Sequence, residues 1–149
     1  MPTMRFNHME LTFSRGTLTT DFREEIDAFY GSVFGWVGVD TDLVGQSCHI
    51  LLSEEAQQFI LLAESDKPMQ SPGYDHLGLL LGTRAEVDDK LDQCKRYQEK
   101  DDRVRIKEYD DLVIGDLTTY AFYVKHLLPI YFDVQCMERA GQPVGNALS

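Results

Sequence analysis

Two stretches of this chain open on a histidine and then alternate: Asn7-His8-Met9-Glu10-Leu11-Thr12-Phe13 and Asp75-His76-Leu77-Gly78-Leu79-Leu80-Leu81. Both have the form Asx-His-apolar-x-Leu-x-apolar. Neutral imidazole is the commonest metal ligand among side chains and the usual proton carrier near neutral pH. A lone strand histidine is ordinarily satisfied by hydrogen bonds, and that reading stays open here. Two histidines at equivalent places in a repeated motif suggest a shared task. Side chains alternate across a pleated strand, so His8 and His76 point away from the apolar residues of their own strands. In a third stretch, Tyr131-Phe132-Asp133-Val134-Gln135-Cys136, the same alternation puts Asp133 with Tyr131 and Gln135, opposite Phe132, Val134 and Cys136.

The elements that must position these residues come in the same order twice. A strand over 6–14 precedes Phe22, Ile26, Phe29, Tyr30 and Val33 at helical spacing, with Asp21 and Glu24 as a capping box. Gly35 and Gly38 end that helix, and β-rich runs follow at 36–40, 48–53 and 59–63, the last two joined as a hairpin through 54–58. A linker over 65–72 contains Pro68 and Pro72. The order then restarts: a strand over 74–81, a capping box at Thr83 and Glu86, and a helix through Val87, Leu91 and Cys94 to about Lys100. Runs at 104–109, 112–125 and 131–137 read as β, and 139–149 as a loose tail. Module one thus spans 4–64 and module two 73–138. Neither is large enough to bury a sheet face alone, so internal duplication within one domain is expected.

Bulk properties narrow the function. The net charge of −11 works against nucleic acid, whose phosphates need cations. Lys95, Arg96, Lys100, Arg103, Arg105 and Lys107 are interleaved with acids and read as a solvated face. No apolar run approaches the ~20 residues of a membrane span, and Met1-Pro2-Thr3-Met4-Arg5-Phe6 lacks a signal peptide's apolar core, so a cytoplasmic location is expected. Cys48, Cys94 and Cys136 are too scattered for a disulfide framework or a thiolate zinc site. There is no G-x-S-x-G elbow, P-loop or G-x-G-x-x-G.

Taken with Phe29-Tyr30-x-x-Val33-Phe34-Gly35-Trp36 and the final hairpin from Phe122 to Val134, the paired Asx-His motifs resemble the vicinal-oxygen-chelate superfamily of glyoxalases, bleomycin-resistance proteins and extradiol dioxygenases. The resemblance implies an α+β fold of two βαβββ modules forming an open cup-like barrel with helices outside. It implies metal ligands on the first and last strand of each module, which here fall at His8, about Leu61, His76 and Asp133. Leucine cannot ligate, so Glu10 or Glu64 stands as an alternative carboxylate. His8, His76 and Asp133 have the facial-triad composition that holds a divalent metal, Fe(II) or Mn, Ni or Zn, with open positions for a substrate's adjacent oxygens. His49 and Tyr123 are the candidates for proton transfer and oxyanion binding; His126, in a turn, is expected at the surface.

Three functions compete on this reading. One is a mononuclear metalloenzyme, dioxygenase or lyase or isomerase. The second is a metal-free small-molecule binding protein of the bleomycin-resistance type. The third is a non-catalytic domain. A small-molecule ligand and a homodimer are the expected partners, with Trp36 and the strand edges as apolar surface; nucleic acid and membrane are not.

Overall fold

The computed structural model describes residues 1–54 and 57–144. The chain divides into two compact units, Met1–Gln70 and a second beginning at Ser71.

In the first unit, β1 (His8–Phe13) is followed by α1 (Thr20–Phe29), β2 (Val37–Leu43), β3 (Gln46–Leu52) and β4 (Phe59–Glu64). The sheet order is β1-β4-β3-β2, with β1 parallel to β4 and the other pairs antiparallel. The helix is capped by Thr19, whose side chain accepts from Phe22 N, and not by Asp21. Thr19 is extended, so its hydroxyl can reach back to a free amide, whereas Asp21 is already inside the first turn. A π-helical turn over Tyr30–Phe34 ends the helix, and Gly35, at φ 75°, takes the left-handed stop that glycine accepts without strain. Phe22 meets Phe13 edge-on at 6.0 Å, so α1 covers the Leu11 and Phe13 face of β1. Leu11, Ile26, Phe29, Leu51 and Leu62 are fully or almost fully buried. Glu55 and Ala56, within the predicted hairpin loop, lie outside the described residues.

The second unit comprises β5 (His76–Leu80), α2 (Arg84–Lys100), β6 (Arg105–Glu108), β7 (Leu112–Ile114), β8 (Leu117–Lys125), β9 (Tyr131–Arg139) and β10 (Gln142–Pro143). β5 is parallel to β9, β9 antiparallel to β8, and β8 antiparallel to β6. This repeats the pairing of β1, β4, β3 and β2, and both units are mixed α+β arrangements. Thr83 caps α2, accepting from Glu86 N at 3.2 Å, and Val87, Leu91 and Cys94 are its buried stripe. The stretch 112–125 is two strands, because Gly115 turns the chain at φ 62° and Leu112 pairs back onto Thr119. Residues 139–144 are not loose: β9 runs through Arg139, and β10 pairs with its end. The rest of that predicted tail, 145–149, lies outside the described residues. Among the described residues no helix is long and apolar enough to cross a membrane.

Candidate functional site

Directly paired residues in neighbouring strands share a sheet face. In the second unit His76 pairs with Tyr131, Gly78 with Asp133, and Asp133 with Tyr123, which in turn pairs with Lys107. These residues occupy one face. Phe122, Val124, Phe132 and Val134 occupy the other, where α2 reaches the sheet and Asp88 accepts a hydrogen bond from the Tyr120 hydroxyl.

The polar face is ordered by short contacts. His76 Nδ1 is 2.8 Å from the Tyr74 carbonyl oxygen. A carbonyl only accepts, so Nδ1 donates, and the neutral ring presents a lone pair at Nε2. The Tyr123 hydroxyl lies 3.2 Å from that Nε2, and Asp133 Oδ2 lies 3.8 Å from it. Asp133 is only 8% exposed, and its Oδ1 has no hydrogen-bond partner among the described residues. Burial pushes its carboxyl above the usual carboxylate range, partly offset by His76. Burial, then Asp133, then Tyr109 push the Tyr123 hydroxyl up, so it keeps its proton at neutral pH.

On the first unit's sheet, His8 is exposed and its ring stacks on Phe59 at 4.8 Å. His8 Nδ1 is 2.7 Å from Asn7 Oδ1, while Asn7 Nδ2 donates to the Gln57 carbonyl. That second bond fixes which way the amide points, so His8 also donates through Nδ1 and leaves Nε2 free. The Asx residue before each histidine is therefore not doing the same job: Asn7 holds His8, whereas Tyr74 holds His76 and Asp75 accepts from the Ser71 hydroxyl. The registers put Leu61 where the second unit has Asp133, and Glu10 where it has Gly78. Beside Glu10 the surface is apolar: Cys48, Leu61 and Ala63 cluster with Ile50 and Phe59.

Two candidates on this unit lie away from the His8 face. Glu64 pairs with Phe13 on the helix-covered side, and its Oε2 accepts from Leu18 N at 2.8 Å. Backbone hydrogen bonds from Leu18 and Gly16 hold its carboxyl below the usual range, so it fastens the loop before α1. His49 pairs with Leu62, which pairs with Leu11, and so faces α1. Its Nδ1 is 2.7 Å from Asp40 Oδ1 and its Nε2 2.7 Å from Asp27 Oδ1. Arg23 Nη1 also reaches Asp40, at 2.8 Å, and Arg23 with His49 holds the Asp40 carboxyl low. This clamp joins α1 to β2 and β3, and the charged pair Arg23 and Asp27, one turn apart on α1, was its legible signal. Gly38 admits Asp27, whose Oδ1 lies 2.0 Å from where a Cβ would stand. His126 is not at the surface: it is 1% exposed, 3.3 Å from Asp101 and edge-on to Tyr97.

Among the described residues no group of three or more His, Cys, Asp or Glu side chains is gathered to hold a metal. His76 and Asp133 are a pair of donors with a phenol beside them. Their fit to an ion rests on the orphaned, buried Asp133 Oδ1 and on a His76 Nε2 that faces the Tyr123 hydroxyl at 3.2 Å and Asp133 Oδ2 at 3.8 Å, the latter within the ~4 Å spanned by two metal–ligand bonds.

The first unit is built as strand, helix and three further strands with its first and last strands parallel, and the second repeats that arrangement in β5, α2, β6, β8 and β9, with β7 added on β8 and β10 on β9; this is a glyoxalase-type fold. Solved structures share it. A glyoxalase family protein from Bacillus anthracis superposes with a TM-score of 0.61 at 14% identity, over 91% of this chain and 96% of that one. The fosfomycin resistance protein FosX from Listeria monocytogenes gives 0.59 at 18%, over 89% and 90%. Lactoylglutathione lyase from Agrobacterium tumefaciens gives 0.56 at 17%, over 90% and 94%. No family model and no curated protein matches the sequence.

Proposed function

We propose that this protein is a small-molecule metalloenzyme whose His8, His76 and Asp133 hold one divalent metal, Fe or Mn, Ni or Zn. The observation that carries the reading is the buried, unpartnered Oδ1 of Asp133 beside a histidine whose Nδ1 is already committed. Ligating histidines characteristically donate their other nitrogen to an oxygen, as His8 and His76 both do. A FosX structure carries Mn(II) and a dihydroxypropylphosphonic acid, which supports a metal and a small ligand in this fold. When bound, the metal supplies Lewis acidity to two adjacent substrate oxygens. Tyr123, protonated at neutral pH, donates a hydrogen bond or a proton to an oxyanion developing beside His76. His49 acts as the clamp described above and takes no part in the chemistry.

A homodimer suits the exposed apolar residues Val37, Val39 and Leu43 on edge strand β2. Three buried, free cysteines suit a cytoplasmic location. Elemental analysis after incubation with Fe(II), Mn(II), Ni(II) and Zn(II) tests the site. One ion per chain in the wild type, lost in His76→Ala and in His8→Ala, is expected; equal metal in all three overturns it. Oxygen dependence of turnover then separates an extradiol-type oxygenase from a lyase or isomerase. Leu61 in the place of a ligand and the apolar cluster around it favour one other reading, a metal-free binding protein, which is what remains if no ion binds.

A further inference from the structure

The chain carries a net charge of −11, so an anion approaching it is repelled unless cations are gathered locally. Such a gathering exists on the His76 and Asp133 face. β6 pairs with β8 so that Arg105 stands directly opposite Lys125, and Lys107 opposite Tyr123. Alternate residues share a face, so all three cations lie on the side of Tyr123 and Asp133. Like charges directly opposite one another destabilise a strand pair. Carboxylates are abundant and could have relieved this, as they do for Lys95 with Glu108, Arg84 with Asp111 and Arg139 with Asp116. Among the described residues, no ion pair involves Arg105, Lys107 or Lys125.

The lysines are instead held against tyrosines. Lys107 Nζ lies 4.8 Å from the Tyr74 ring centroid and 5.4 Å from that of Tyr109; Lys125 Nζ lies 5.4 Å from that of Tyr131 and 3.5 Å from the Ser71 carbonyl. Both lysines are half-buried. The tyrosines are continuous, with Tyr123 4.6 Å from Tyr109 and 6.3 Å from Tyr131, and Tyr74 5.1 Å from Tyr131. A ring surface edged by unpaired ammonium groups matches a flat, unsaturated acid: the rings take its body, and the lysines take its charge. We infer that the second unit binds small organic oxyanions, with Lys107 and Lys125 on the charged group and the Tyr74, Tyr109, Tyr123 and Tyr131 rings under the remainder. This rests on reading the face as a substrate site, though not on its metal.

Calorimetric titration of metal-stripped protein tests it, with benzoate, neutral benzamide of the same shape, and inorganic phosphate as probes. Benzoate is expected to bind roughly tenfold or more tightly than benzamide, and to weaken with added salt. Lys107→Gln and Lys125→Gln, singly and together, should weaken benzoate, the pair by roughly tenfold, while benzamide binding and the melting temperature hold. Benzoate binding without phosphate binding assigns a carboxylate, and binding of both that the variants weaken extends the class to phosphorus oxyanions; either supports the inference. No benzoate binding, equal binding of benzoate and benzamide, or no loss in the double variant overturns it. Metal content measured on the same samples keeps the two readings apart: a failed metal site leaves the benzoate result standing, and the reverse holds.

Discussion

Leu61 and Asp133 occupy the same place in the two sheets, each two residues beyond the strand partner of a motif histidine. One unit fills that place with an alkyl chain inside an apolar cluster, and the other with a carboxylate lacking a partner for Oδ1. A duplicated fold thus carries an asymmetric chemistry, and the carboxylate is held there against its own solvation.

That holding predicts a pH signature. Burial raises the folded carboxyl of Asp133 above its unfolded value near ~3.9, so stability is present below that value and is lost as pH rises through the raised one. Asp133→Asn should therefore stabilise the metal-free protein at pH 7 by about 1 kcal/mol, a rise of roughly 2–4 °C, with no gain at pH 3. Calorimetric melts at both values read it, and a destabilised variant at pH 7 would contradict the assignment. The same variant should lose metal uptake.

His49→Ala should lower stability by about 2 kcal/mol, because it removes hydrogen bonds to two carboxylates that tie α1 to the sheet. Metal uptake should be unchanged. Lost uptake with an unchanged melt would return His49 to the chemistry.

Phe132→Ala opens a cavity beneath α2, since Phe132 is fully buried, and should cost about 3–5 kcal/mol in chemical denaturation. Lys125→Gln, on the opposite face of the neighbouring strand and half-buried, should stay within about 0.5 kcal/mol of wild type.

Thr83→Ala removes the acceptor for Glu86 N at the start of α2 and should cost about 1 kcal/mol. Thr83→Ser should recover most of it, because the hydroxyl does the capping.

Periodicity and duplication were legible in the sequence. The alternation around His8, His76 and Asp133 assigned their faces, and the repeated order of elements assigned two βαβββ units, because side-chain direction follows from local backbone geometry alone. The Thr83 cap and the Gly35 stop were legible for the same reason. Partners distant in sequence were not. Whether His49 faces a helix or an open sheet depends on where α1 lies, and only the fold brings Asp27 and Asp40 to its two nitrogens. The turn carrying His126 is buried because Asp101 and Tyr97 close over it. Arg105 and Lys107 read as part of a solvated charged run, since a one-dimensional charge count pairs neighbours along the chain. The β6–β8 register instead sets Arg105 across from Lys125 and Lys107 across from Tyr123, so three cations gather on the face that holds Asp133. Local stereochemistry determined which way each side chain points; tertiary pairing decided what it meets there.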